Sequence, residues 1–420
     1  MSDRSRPQPG SANTVLANAR LQDGSVVDIT VQAGTIVGVD PADTSRQAGA
    51  QVTDLGGWLT VGSMVEPHAH IDKALTSEEV PNPTGDLRGA IDAWIDATGR
   101  GVFSHENTVA RATAALDLLV AHGVTTVRTH VNTTPQIGAA NVVAVREAAN
   151  AFRGIVDVQI VALPSNPLAG PEGAESRAAL ATALEAGVDL IGGCPHLEPD
   201  GPAVISVLLA AAQQAGIGVD LHVDETLDPS ILTLQELARQ VSDTGFGYPV
   251  TASHCVSLGM QPAEVQAKVA AEVAQAGISI VALPQTNLFL QGRNHPTATP
   301  RGLTAVKALV DAGVTVAAGA DNVQDPFNLM GRSDPLETAS LMVMAGHQLP
   351  EDAYSMVSDQ ARIALGLEPV RIEPGYTADL VAIDAPSVRA ALADASRSRR
   401  VFKAGRLTAS SDQTVAVHRH

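Results

Sequence analysis

The sequence predicts an α/β protein, an eight-stranded (β/α)8 TIM barrel joined to a small β domain built from both chain ends. Three observations predict it. Short β-prone runs alternate with helical stretches at about 30 residues per unit, the rhythm of parallel strands with helical crossovers. The terminal segments lack that rhythm and read as short strands separated by tight turns. Histidines and carboxylates gather just after the β-prone runs, the end at which such barrels carry their chemistry.

Residues 1–12 are polar and rich in Pro, Gly and Ser, and are expected to form a mobile N-terminus. Residues 25–31 and 35–39 flank Gln32-Ala33-Gly34 and read as a hairpin. Near the other end, residues 378–383, 400–402 and 406–408 read as strands. None of these segments buries a face alone, so residues 13–59 and 370–412 are expected to form one small domain. Residues 60–369 form the barrel, with strands expected near 60–65, 124–128, 157–163, 188–192, 218–221, 249–253, 278–283 and 314–318. Glycine stops the preceding helices, as in Gln214-Ala215-Gly216 and Gln275-Ala276-Gly277. Val265, Val269 and Val273 show the helical period. A long insertion is expected near residues 73–106.

The composition excludes several classes. The chain of 420 residues carries a formal charge of −18, which disfavours a nucleic-acid polymer or an anionic membrane as partner. Aromatics are 3%, too few for base-stacking platforms. No apolar run reaches the length of a membrane span, and the N-terminus lacks a signal-peptide stretch. Cys194 and Cys255 are the two cysteines, which suits a reducing cytoplasm. The expected partner is a small molecule, with a homo-oligomer as a further expectation.

Strand one runs into Glu66-Pro67-His68-Ala69-His70-Ile71-Asp72-Lys73. Later strands end at His130, His196, His222-Val223-Asp224-Glu225, Ser253-His254 and Asp321-Asn322. Six of the 12 histidines fall in these segments, an enrichment that packing alone does not explain. His68 and His70, two apart on an extended strand, share a face. With His222, His254 and Asp321 from other strand ends, they suit a first-row divalent metal.

These stretches resemble the amidohydrolase superfamily. Val127-Arg128-Thr129-His130-Val131, Gln159–Pro164, His222–Glu225, Ala252-Ser253-His254, Leu290–Arg293 and Asp321–Phe327 look specifically like its cytosine deaminase branch. The resemblance implies a distorted barrel with a small β-sandwich from both termini, and one catalytic metal ion, zinc or iron(II). It makes His68, His70, His222 and Asp321 the metal ligands. Glu225 takes the general acid/base position, and His254 the position that orients the nucleophile or leaving group. Many relatives hold two metals through a lysine after strand four. The lysines here are Lys73, Lys268, Lys307 and Lys403, none near residue 192, so one metal is expected. Cys194, His196 and His130 are expected to support the site rather than ligate.

Ser165 stands where cytosine deaminases place a glutamine, and it cannot make the two-point contact of a primary amide. Asn322 replaces a second aspartate, and Phe327 a tryptophan. Asn322, together with Lys73, resembles the branch that removes alkylamine from hydroxytriazines. The expectation is an aminohydrolase cleaving an exocyclic C–N bond of a small nitrogen heterocycle such as a pyrimidine or triazine. Lys73, Ser165, Gln291 and Asn322 are the expected ring-reading residues. Alternatives are a cyclic amide hydrolase on the same scaffold and a non-enzymatic binding module.

Overall fold

The computed structural model describes residues 13–43 and 50–418. The mobile end expected at residues 1–12 lies outside the described residues. Five short strands open the chain: β1 (Thr14–Arg20), β2 (Val26–Gln32), β3 (Thr35–Pro41), β4 (Gln51–Asp54) and β5 (Leu59–Gly62). The barrel strands follow: β6 (Met64–Ala69), β7 (Val124–Thr133), β8 (Asp157–Pro164), β9 (Leu190–Ile191), β10 (Gly218–Val223), β11 (Val250–His254), β12 (Ser279–Ala282) and β13 (Val316–Ala318). Three more close the chain: β14 (Leu380–Ile383), β15 (Arg399–Lys403) and β16 (Arg406–Ser411).

The described chain divides into two compact units. One comprises residues through Met64, Val120–Thr125 and those from Pro369 onward. Its eight-stranded mixed sheet has the order β16-β15-β14-β5-β1-β2-β3, with β4 on β1. Leu16, Ile29 and Ile36 from one end of this path share an apolar core with Leu380, Ala382 and Phe402 from the other. The sheet therefore folds over on itself, as the sandwich expectation requires.

The other unit comprises Val65–Leu119 and Thr126–Glu368. Its eight strands pair in sequence order from β6 to β13. A parallel bridge between Ala69 and Asp321 joins the two ends of that path and closes the barrel. Strands β10 and β11 are buried along their whole length, as sheets covered by crossover helices require. The Gly216 stop holds: its φ of 72° closes the helix Gly201–Ala215 in the left-handed region that glycine tolerates. The insertion near residues 73–106 carries the helix Leu87–Gly99, capped by the Asp86 carboxylate on the Gly89 amide.

The first barrel strand differs from the expected 60–65. Leu59–Gly62 pairs antiparallel with β14 in the mixed sheet, and the barrel strand begins at Met64. Leu59, Thr60, Val61, Met64 and Val65 are all buried, so apolarity alone does not mark the break between two consecutive buried strands.

Candidate active site

Three of the strand ends bend the backbone where L-residues rarely go. Asp224, His254 and Asp321 have φ of 52°, 67° and 65°. Such conformations persist where the surroundings over-determine them, and they cluster at functional sites. They lie at or just after the ends of β10, β11 and β13, and two of them, His254 and Asp321, belong to one buried cluster with His68 and His222.

His68 and His70 arrive from β6 on one face, as the strand alternation requires. His68 Nε2 and His70 Nε2 each lie 3.2 Å from His222 Nε2. Asp321 Oδ1 lies 3.5 Å from His68 Nε2 and 3.2 Å from His70 Nε2. A tetrahedral cation with bonds of 2.0–2.2 Å spaces its donors about 3.3–3.6 Å apart, and these four separations are close to that spacing. Neither carboxylate oxygen of Asp321 receives a hydrogen bond of normal geometry, although Asp321 is only 2% exposed. An uncompensated buried carboxylate is costly, and a cation answers it. The buried set of four whose ligand atoms all lie within 4.8 Å of one another is His68, His222, His254 and Asp321, with His254 where His70 was expected.

The electrostatics agree. Burial, reinforced by the crowding of rings, holds His68 and His222 well below the usual histidine range. Burial and the neighbouring Lys73 do the same for His70. Neutral imidazoles are the ligating form. The Ser253 hydroxyl fixes the tautomer of His68. It donates to Asp220 Oδ1 at 3.1 Å, so at 2.9 Å it accepts from His68 Nδ1–H. That leaves the Nε2 lone pair of His68 facing the cluster.

Glu225 follows β10, buried, with Oε2 3.7 Å from His254 Nε2. Burial, then the nearby Asp321 carboxylate, pushes Glu225 well above the usual carboxylate range. His254 Nε2 lies 3.9 Å from Asp321 Oδ2. Lys73 Nζ lies 3.0 Å from His70 Nδ1 and 3.1 Å from Asp72 Oδ1. The Gln291 amide donates to the Glu225 backbone carbonyl at 3.2 Å. Asn322 donates to Asp325 Oδ2 at 2.8 Å. The Ser165 hydroxyl is 3.1 Å from Ser176 Oγ, which ties it to the helix Ala174–Glu185 rather than to the histidine cluster.

A model of the amidohydrolase family matches residues 104–415. The chain belongs to the amidohydrolase family. This amidohydrolase is 34% identical over 419 residues to a pterin deaminase of Rhizobium rhizogenes, a match covering 95% of this chain and 94% of the relative. It is 24% identical over 420 residues to an N-isopropylammelide isopropyl amidohydrolase of a Pseudomonas species, covering 96% and 98% of the two chains. Among solved structures it resembles a 5-methylcytosine deaminase from Klebsiella pneumoniae liganded with 5-fluorocytosine. That likeness has a TM-score of 0.86 at 28% identity and covers 97% of this chain and 99% of the other. The chain is a hydrolase of carbon–nitrogen bonds other than peptide bonds.

Around the histidines, this amidohydrolase has a supporting layer in which His130 and His196 were expected and Arg128, Asp220 and Asn287 were not. Asp220 accepts from Arg128 Nη1 at 2.8 Å as well as from Ser253, and both members of the ion pair are buried. His130 stacks on His68 with ring centroids 4.0 Å apart. His196 Nδ1 lies 3.1 Å from the His222 carbonyl. Asn287 Oδ1 lies 2.9 Å from His254 Nδ1. A signal existed for two of these residues. Asp220 and Arg128 each sit two positions before a histidine on a strand, hence on the same face, and a charge inside a barrel strand needs a partner. His68, His130 and Asp220 form a second close set, but the Arg128 guanidinium already neutralises Asp220 there.

Proposed function

We propose that this chain is a mononuclear metal-dependent aminohydrolase that cleaves an exocyclic C–N bond of a small nitrogen heterocycle. The observation that carries the reading is the convergence of His68, His70, His222 and Asp321 on one cation-sized centre, with Glu225 and His254 beside it. The amidohydrolase match and the deaminase relatives support it. The Arg128 guanidinium already paired with Asp220 supports one ion rather than two.

A divalent ion, Zn2+ or Fe2+, held by these four residues supplies Lewis acidity and brings the pKa of a bound water to about 7. Glu225, kept protonated by its burial, donates to the ring nitrogen next to the amine-bearing carbon. Water adds its oxygen to that carbon. One water proton returns to Glu225, and the other reaches the exocyclic nitrogen by way of the Asp321 carboxylate. The C–N bond breaks, leaving a ring carbonyl and a free amine. His254 and Asp321 hold the nucleophile. Lys73 and Asn322, beside His70 and Asp321, and Gln291, beside Glu225, face the ring; Ser165, held by Ser176, is left out of that role. Two free thiols, Cys194 and Cys255, are consistent with a cytoplasmic setting.

The test is a panel of pterin, 5-methylcytosine, cytosine and N-isopropylammelide with the metal-loaded protein, reading ammonia or alkylamine release. Release from at least one ring amine is expected. Ring opening of cyclic amides with no amine released would overturn the reading.

A further inference from the structure

Asn287 lies on the helix Pro284–Leu290, which follows β12 directly, and it is fully buried. Its Oδ1 lies 2.9 Å from His254 Nδ1. A carboxamide oxygen only accepts, so Nδ1 carries the proton of the contact. In a neutral imidazole this leaves Nε2 bare. His254 Nε2 is buried without a hydrogen-bond partner. The carboxylate oxygens nearest to it in the site, on Glu225 and Asp321, stand at 3.7 and 3.9 Å, beyond hydrogen-bond reach. The bare nitrogen therefore faces the gap between the acid/base and the aspartate, where the attacking water must stand.

We propose that Asn287 is a positioning residue: it holds the proton of His254 on Nδ1 and presents Nε2 to the attacking water purely as an acceptor. The inference rests on the role given to His254 above. A reversed amide at Asn287 would put an N–H on Nδ1, move the ring proton to Nε2 and aim a donor at the same gap. That arrangement could bind a leaving group but not take a hydrogen bond from water. The frame is rigid on both sides. The backbone N–H of Asn287 donates to the Leu283 carbonyl at 3.1 Å and its backbone carbonyl accepts from the Gln291 N–H at 2.9 Å, while its side-chain Nδ2 is buried without a hydrogen-bond partner. The neighbouring His68–Ser253 pair uses the same device, an outer oxygen that settles which ring nitrogen is bare.

The experiment is long-range 1H–15N correlation on the metal-loaded protein with 15N-labelled histidine, His254 being assigned by its loss in His254→Gln. The expected wild-type signature is a protonated Nδ1 and a bare Nε2. Asn287→Leu, close in size but without an acceptor, is expected to lose that signature. It should lower kcat roughly 10- to 100-fold, with KM and metal content near wild type. Asn287→Asp restores an acceptor and is expected to recover the Nδ1 proton and most of the lost turnover. A proton on Nε2 in the wild type overturns the proposal, as does an Asn287→Leu protein with unchanged tautomer and kcat. If Asn287→Leu fails to fold, the wild-type spectrum still decides. The spectrum needs no substrate, so a panel in which no heterocycle reacts sinks the proposed reaction without touching this measurement.

Discussion

Glu225 has a use only because its surroundings keep a proton on it. Burial, then the Asp321 carboxylate, raises its pKa, which favours the acid form, and that form is lost as pH rises through the folded value. Glu225→Gln should keep its metal, as measured by elemental analysis, and lose turnover by roughly 10²–10⁴-fold. Full activity in that variant would remove the mechanism. Asp325 gives a pH prediction for stability. Burial pushes it up to about 7, against Lys73 and the donors Asn322, Phe327 and Asn328. Between the ordinary carboxylate range and about pH 7 the folded state keeps this proton and the unfolded state does not. Stability from this group is therefore present at low pH and declines as pH rises through that window. Asp325→Asn should give a shallower fall of Tm between about pH 4 and 7, and an unchanged slope would remove the shift. At this scale the sequence made His68, His70, His222, His254, Glu225 and Asp321 legible, because spacing and strand-end position marked them. Asn287 was not marked and Ser253 was read only as the neighbour of His254, since asparagine and serine are ordinary in helices and strands and acquire meaning only through a partner at hydrogen-bond distance; Asp220 carried only the weaker signal of a charge two positions before a histidine.

Elements place these residues, and Asp224 shows how. Its carboxylate accepts from Thr233 N at 2.7 Å, Thr233 Oγ1 at 2.6 Å and Leu234 N at 3.1 Å. Leu232, the residue at the cap position of the helix Thr233–Thr244, has no side-chain cap bond, so Asp224 caps that helix from nine residues upstream. The Asp224 carbonyl also accepts from Val256 N at 3.0 Å, in the turn after His254. One residue thus ties the end of β10, which leads into Glu225, to the end of β11, which carries His254. Asp224→Ala should cost about 0.5–2 kcal/mol of stability by denaturant unfolding, the scale of a lost cap, and should lower kcat as well. Unchanged kcat in a destabilised protein would confine Asp224 to a structural role. The alternation of strand and helix was readable because each unit is local, with glycine stops and apolar periods. The division between β5 and β6 was not. Both are short buried strands, and what separates them is their hydrogen-bond partners, which sit far away in sequence.

For the whole molecule, the β sheet drawn from both chain ends was legible because neither end could bury a face alone. Among the described residues, no helix is long and apolar enough to cross a membrane. The closed barrel brings ligand candidates from β6, β10 and β13 together, so binding at that centre couples to folding of the unit that carries them. Removing metal with a chelator should lower Tm, and adding back Zn2+ or Fe2+ should restore it, because a ligand bound only by the folded state stabilises by mass action. A Tm indifferent to chelation would argue against a resident ion. The central claim is that His68, His70, His222 and Asp321 share one divalent cation. Elemental analysis of purified wild-type protein beside His222→Ala, after equilibration with Zn2+ or Fe2+, tests it most directly. One ion per chain is expected in the wild type, with a large loss in the variant. Wild-type protein that takes up no ion, or a variant that holds its ion as tightly as wild type, would contradict it.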